Sequence, residues 1–583
     1  MRTRHLLLSL MLLLPLWLAA QIPVNQEYKV AFEKAYHDCP EVPHGWLEAV
    51  SFTNTQCHHL TDADYFHDDV NAMPRAYGLM GLVKDGKNYF RENLHLVSEL
   101  SGISEKEILT SPTANVMAYA KAFERLVAKG DAKGTKDYLH VIQQLSELPI
   151  GEEKDVYPIQ AMLYSVCVFL NDAKKAVQFG FPKHDIDLKA VFPEYYELLS
   201  AQNLQVTRDS DYPKAIWNPA PDCNYSQRTD PVSGVVIHYT EGSYAGCISW
   251  FKNCDAGVSA HYVIRSSDGQ VTQMVHEANK AWHARSANAY TIGVEHEAYG
   301  NIWSYFTEAM YQSSADLVRN ICSRYASIDS HRTFYRDTLD NGTCLNNGLH
   351  DLGGVNACTK IRGHQHYPNQ SHTDPGPYWN WNYYYKLINE GTPITELEGE
   401  SGTLDHKSYS DDERKIWVIR GPEESTVGIE FKSFQLEKDY DFLWIYDGDN
   451  VYAPKIGRWN TKSPEYVEAS GNVMCIEFRS DCATNAVGWE AEWKAKLPVV
   501  PEPEPELTEG VYPNPATDIV TIYSEREGFT DVVICDILGN RMIPLTRFYK
   551  SFELDISTWS SGVYVVNYGE PILMEKTVKL VKL

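Results

Sequence analysis

Positive charge is scarce in this sequence. Against 78 Asp and Glu there are only 52 Lys and Arg, a formal net charge of −26 over 583 residues. That balance excludes a polyanionic partner such as nucleic acid, because no basic patch is available to neutralise phosphates. It argues equally against an anionic membrane surface. After residue 20 no apolar run reaches the length a bilayer span requires, so no transmembrane segment is expected in the mature chain. No internal repeat is found.

What is present begins with a leader. "MRTRHLLLSLMLLLPLWLAAQ" carries Arg2 and Arg4, an apolar stretch from Leu6 to Leu18, and small residues before Gln21. This reads as a secretory signal over residues 1–20, cleaved after Ala20. Export permits disulfides among the twelve cysteines. Proximity suggests Cys247–Cys254, Cys344–Cys358 and Cys475–Cys482, with Cys39–Cys57 and Cys223–Cys322 as further pairs, although spacing does not determine connectivity. Cys167 and Cys535 sit in apolar runs and read as buried thiols.

The length calls for roughly three to five domains. Residues 21–205 read as helical: "NVMAYAKAFERLVAKG" and "YLHVIQQLSEL" repeat apolar residues at three- and four-residue spacing. Residues 211–392 alternate strand and helix signals. "GVVIHYT" is a β-branched run, "SAHYVIRSSDGQVTQMV" a hairpin around Asp-Gly, and "EAMYQSSADLVRNICSRYA" an amphipathic helix. Residues 402–497 are β-rich, and 498–510 form a proline-acid linker that stays extended. Residues 511–583 again show short strands. The expected architecture is an all-α domain, an α/β domain with a central mixed sheet, and two β-sandwiches.

"IRGHQHYPNQSHTDPGPYWNW" places His364, His366, His372 and Asp374 within eleven residues. A catalytic zinc takes three protein ligands and keeps one position open. His238 ends the strand "VVIHYT", His364 ends "IRGH", and the stiff Asp-Pro-Gly-Pro sequence can hold the Asp374 carboxylate in place. Strand ends are places from which side chains point into a cleft, so these three are the candidate ligands.

The stretch from about Tyr212 to Asn389 resembles the zinc-dependent N-acetylmuramoyl-L-alanine amidases of the type 2 family, related to peptidoglycan recognition proteins. The residues carrying the resemblance are "VVIHYTEGS", "VSAHYVIRSSDGQV", "KAWHAR", "TIGVEHE" and "IRGH…HTDPGPYWNW", in family order. The resemblance implies hydrolysis of the amide joining the lactyl group of N-acetylmuramic acid to L-alanine, in peptidoglycan or muropeptides. It also implies Zn²⁺ on His238, His364 and Asp374, Glu295 as the acid/base, and His283 beside the substrate. Glu297, two residues on, is the rival to Glu295. Many active members have Lys two residues before the ligand aspartate, to steady the oxyanion, where this chain has His372. An imidazole donates that bond as a cation only below its own pKa, ordinarily about 6.5, so activity is expected to fall early on the alkaline side. His366 has no ligand counterpart in the family, and His261 reads as structural. Some recognition relatives keep the fold and lose the metal, which makes a non-catalytic peptidoglycan-binding protein the alternative. The complete ligand set with Glu295 favours the enzyme.

Three further resemblances complete the reading. "VPHGWLEAVSFTNTQ", "PRAYGLMGLV" and "ELSGISEKEILTSPTANVMAYAKAF" resemble the lysozyme-like fold of lytic transglycosylases, with Asn54 where the family has its catalytic Glu. An amide cannot protonate a glycosidic oxygen, so the domain reads as degenerate, kept for glycan binding or as structure. "DYDFLWIYDGDN" and "CIEFRSDCATNAVGWEAEW" resemble a CUB domain, whose calcium-binding members imply Ca²⁺ on Glu437, Asp441 and Asp481, although the usual four-cysteine pattern is absent. "VYPNPATDIVTIYS…LDISTWSSGVYVVNYGE…EKTVKLVKL" resembles the sorting domain of the type IX secretion system. This implies a Gram-negative bacterium, passage through the periplasm to the outer surface or medium, engagement of that machinery, and removal of the tail near Gly510.

Overall fold

A computed structural model describes residues 26–65, 72–129, 134–200, 209–299, 302–334, 359–367, 372–497, 509–570 and 574–583. The expected leader, the Cys344–Cys358 pair and most of the linker lie outside the described residues. No helix among the described residues is long and apolar enough to cross a membrane.

The N-terminal region is helical, as its 3.6-residue periodicity predicts. Helices α1 (Gln26–Asp38), α2 (Trp46–Thr55), α3 (Pro112–Lys129) and α4 (Glu153–Asn171) dominate it. Pro112 opens α3, where its missing N–H is not needed, and Val116, Tyr119, Ala120, Phe123 and Val127 form the buried stripe. One short antiparallel ladder, Ala76–Tyr77 with Leu82–Val83, closes over the Gly78–Gly81 turn. The Asn54 amide donates to Met80 O at 3.0 Å, a bond that an ionised carboxylate could not make.

The central domain is a six-stranded mixed sheet of β1 (Ile216–Trp217), β2 (Gly234–Tyr239), β3 (Tyr262–Ile264), β4 (Val271–Gln273), β5 (Thr291–His296) and β6 (Ile361–Gly363). The spatial order is β6-β2-β5-β3-β4-β1, with only the β3–β4 hairpin antiparallel. Strand β2 is buried along its whole length, which explains its unbroken apolar run. Side chains alternate across the sheet. Val235, Ile237, Ile292 and Val294 pack in one core with helices α6 (Glu308–Arg324) and α7 (Trp381–Ile388). The opposite face carries Val236, His238, Gly293 and Glu295. Helix α5 (Tyr244–Trp250) packs with the helical region in one continuous core that runs from Ala31 through Trp250 to Ala281. The Oη of Tyr157, on α4, lies 3.1 Å from both Tyr244 Oη and Thr272 Oγ1 across that seam.

Two β-sandwiches follow. The first faces a five-stranded sheet against a four-stranded one, and the five-stranded sheet includes Ile394–Glu398, which lies before residue 402. It docks on α7 through a buried ion cluster. Glu477 receives bonds from Arg414 and Arg479, Arg414 also donates to Asn389 O, and Arg479 lies 4.3 Å over the Tyr385 ring. The second sandwich has sheets of three and four strands. Its Phe529 enters the core of the central domain, and its Arg547 stacks 4.0 Å from Trp303.

The cysteine pairing differs from expectation. Cys223 bonds to Cys254, and Cys39, Cys57, Cys167, Cys247, Cys322, Cys475 and Cys535 are free thiols. Cys247–Cys254, Cys39–Cys57, Cys223–Cys322 and Cys475–Cys482 therefore do not form, while Cys482 is bonded elsewhere. The physical reason is local. Asn224 donates to Phe251 O and Asn253 O at 2.8 Å each, clasping the turn at Cys223 to the turn at Cys254. Cys247 instead faces inward from α5.

Candidate active site

Three parallel strands end side by side, and their C-terminal ends build the site. Within β2 and β5 the register sets His238 opposite Glu295, on the same face. Gly363 pairs with Ile237, so His364 emerges next to His238. The turn at 374–376 closes over β6, where a Cβ on Gly363 would lie 2.4 Å from Pro375 Cδ. Only glycine at 363 permits that approach, and it brings the Asp374 carboxylate against both imidazoles. This crevice at strand C-termini is where ligands bind in open α/β sheets.

Ligand atoms of His238, His364 and Asp374 all lie within 4.8 Å of one another. Asp374 Oδ2 is 2.7 Å from His238 Nδ1, and Oδ1 is 3.1 Å from His364 Nδ1. Burial alone would raise the Asp374 pKa, but His364 and His238 hold it well below the carboxylate range. Desolvation pushes His238 down to about 4, so its imidazole is neutral at neutral pH, the form that coordinates a metal.

Glu295 and Glu297 share a face but not an environment. Glu297 accepts from the backbone N–H of Tyr244 at 2.9 Å and of Ser266 at 2.8 Å, which ties α5 to the sheet. Glu295 has a buried Oε2 with no hydrogen-bond partner. Burial, then the charges of Asp374 and Glu241, push its pKa well above the usual carboxylate value. A half-buried carboxyl in a cleft, with one buried, unpartnered oxygen and a raised proton affinity, is able to take and return a proton.

The other histidines divide cleanly. His283 Nδ1 lies 3.0 Å from His238 Nε2, over Gly293, where a Cβ would meet its ring at 2.6 Å. Asn288 Oδ1 accepts from the His283 N–H and fixes that loop. His372 stacks on His364, with ring centroids 4.6 Å apart, and its Nδ1 is 3.9 Å from Asp374 Oδ1. His366 is buried and turned away, its Nδ1 accepting from the Gly363 N–H. His261 likewise accepts from the Gly293 N–H and meets Arg228; both are scaffold.

His238, His283, Glu295, His364, His372 and Asp374 line a cavity of about 260 Å³. Sequence reasoning missed some of its walls: Cys247 and Trp250 of α5, Glu241 beside the cluster, and Ala72 and Met73 from the helical region. Glu241, at φ +48°, is the one with a local signal, since it lies between a strand end and Gly242.

In the first sandwich, Glu437, Asp441 and Asp481 also converge within 4.8 Å. Burial and then Asp481 and Asp441 push Glu437 up to about 7, and burial pushes Asp441 up to about 6. Tyr409 donates to Asp441.

Three family models match the chain: N-acetylmuramoyl-L-alanine amidase over residues 228–377, CUB domain over 391–493, and secretion system C-terminal sorting domain over 510–582. N-acetylmuramoyl-L-alanine amidase A of Achromobacter lyticus is 42% identical over 182 residues, covering 31% of this chain and 97% of that protein. A bone morphogenetic protein 1 homolog of Strongylocentrotus purpuratus is 35% identical over 106 residues, 17% of either chain. The solved structure of PlyL aligns with 27% of this chain and 84% of its own at 14% identity, with a TM-score of 0.19.

Proposed function

As the chain belongs to the N-acetylmuramoyl-L-alanine amidase family, a family of peptidoglycan hydrolases, we propose that His238, His364 and Asp374 hold a zinc ion and that Glu295 is its acid/base. The donor set fits the metal: two imidazoles and one carboxylate, gathered at one point with a cleft on the remaining side. The chemistry such an ion supplies is polarisation of a carbonyl and a water acidic enough to ionise near neutral pH. The chain's own residues do the rest. Glu295 takes a proton from the attacking water as the oxygen bonds to the lactyl carbonyl carbon. It returns that proton to the alanine nitrogen as the C–N bond breaks, leaving a lactyl carboxyl and a free peptide amine. His372 donates a hydrogen bond to the oxyanion while protonated, and His283 orients His238 and borders the substrate.

The observation that carries this reading is the orphaned Oε2 of Glu295 beside a complete His-His-Asp set. The test is digestion of purified muropeptides with and without a chelator, followed by mass analysis. Free stem peptide and a sugar with an intact lactyl carboxyl are expected without chelator, and neither with it. Glu295→Gln should lower kcat by roughly 10²- to 10⁴-fold. If His238→Ala cleaves as well as wild type, the zinc mechanism is wrong.

The accessory domains are assigned on the same terms. Glu437, Asp441 and Asp481 take Ca²⁺, an all-oxygen set suited to a hard cation that relieves their mutual repulsion. The helical domain is a non-catalytic partner in glycan binding, with Asn54 absorbed into the Met80 turn. The C-terminal sandwich addresses the protein to the type IX machinery and hence to the cell exterior.

A further inference from the structure

One wall of the active-site cavity comes from outside the central domain. Ala72 and Met73 of the helical region line it alongside His238 and Glu295. The Met73 thioether rests on two glycines at the start of α5. A Cβ on Gly242 would lie 1.6 Å from Met73 Cε, and one on Gly246 would lie 3.3 Å from Met73 Sδ. Both sides of the segment are pinned. Lys87 Nζ donates to Ala72 O at 2.6 Å. Tyr65 Oη donates to Ala76 O at 2.6 Å and accepts from Ala76 N at 2.8 Å. Tyr65 in turn meets the edge of Tyr299 in the central domain, 5.9 Å between centroids. Met73 is thus held as a fixed wall of the cavity, only half-buried, with its thioether against Gly242 and Gly246.

We propose that Met73 is a specificity-determining residue: it closes the Thr240–Gly246 side of the cavity, so that a linear stem peptide reaches the catalytic cluster and a stem cross-linked to a second peptide is disfavoured. The inference rests on the amidase reading. Its physical basis is size. The cavity, about 260 Å³, is smaller than ligand pockets of about 300–1,000 Å³, and Met73, packed on Gly242 and Gly246, narrows it on that side, which leaves less room for a second peptide chain.

The test compares kcat/KM of the full-length protein on two purified muropeptides, a monomer with a linear stem and a dimer joined through its stems. Met73→Ala should raise the dimer-to-monomer ratio by roughly ten-fold, the scale on which a few methylenes in a pocket discriminate. Gly242→Ala, whose methyl takes the seat of Met73 Cε and drives the thioether into the cavity, should lower the ratio. The double variant should return it above wild type. A ratio unchanged in Met73→Ala and in Gly242→Ala, in proteins that melt as wild type does, overturns the proposal. Should Met73→Ala melt early, Gly242→Ala alone decides it by the same ratio. A wild-type protein that cleaves neither muropeptide sinks the amidase reading itself, and this inference with it.

Discussion

Two adjacent glutamates on one strand face, with opposite fates, show how a role is decided residue by residue. Glu297 is satisfied by two backbone donors and Glu295 is left with an orphaned oxygen. A third buried acid, Glu48, lies outside the site. It accepts from Tyr36 Oη, and burial pushes it up to about 7. Because its folded pKa is raised, the folded state binds the proton more tightly than the unfolded chain does. Its contribution is complete below about pH 4.5 and lost as pH rises through about 7, a swing of about 3 kcal/mol. Glu48→Gln should therefore flatten the melting temperature between pH 5 and 7.5 and stabilise the protein above pH 7, which thermal melts across pH will show. His372 gives a kinetic counterpart. If it serves the oxyanion as a cation, the rate falls above its titration, and His372→Lys extends activity to higher pH. A flat wild-type profile from about pH 6 to 9, unchanged by the lysine, would remove that role.

At the scale of elements, the central sheet does the positioning. Parallel pairing puts His238, Glu295 and His364 at neighbouring strand ends, and the same alternation hides Ile237 and Val294 behind them. Much of this was legible in the sequence, since "VVIHYT", "TIGVE" and "IRGH" are short strand-like runs that bring His238, Glu295 and His364 to or near their C-terminal ends. The disulfides were not. Cys247 and Cys254 are close in sequence, but α5 turns Cys247 toward Glu295, and the Asn224 clasp delivers Cys223 to Cys254 instead. Contacts made by a side-chain amide reaching to two distant carbonyls leave no periodicity to read. The bond closes a loop with a separation of 31 residues, so Cys223→Ser should cost about 3–4 kcal/mol by the loop-entropy argument. Denaturant titration would measure it, and a loss under about 1 kcal/mol would mean that the Asn224 bonds already hold the turns.

Across the whole molecule, the helical and central domains share one core. A boundary near residue 205 is visible as a change of texture in sequence, yet Tyr244, Ile248 and Trp250 are covered by helices on the other side of it. Neither composition nor periodicity carries such a contact, because each stretch satisfies its own pattern. The two domains should therefore unfold in a single calorimetric transition, and two resolved transitions for these parts would show that the seam is not cooperative. The same seam places Met73 in the cavity, so stability and selectivity are joined at one interface.

Phe529 lies among Tyr311, Tyr383 and Tyr549, inside the core of the catalytic domain, although it belongs to the terminal sandwich. Modules strung on flexible linkers are ordinarily free to be exchanged by recombination, because each keeps its own core. This address tag keeps a core of its own but has given up part of that freedom by lending Phe529 to its neighbour. Grafted onto another cargo, it would expose an aromatic ring that no longer has a socket, and the abandoned enzyme would be left with a socket that has no ring. Inheritance should accordingly treat Tyr311, Tyr383 and Phe529 as one character, changing together or not at all.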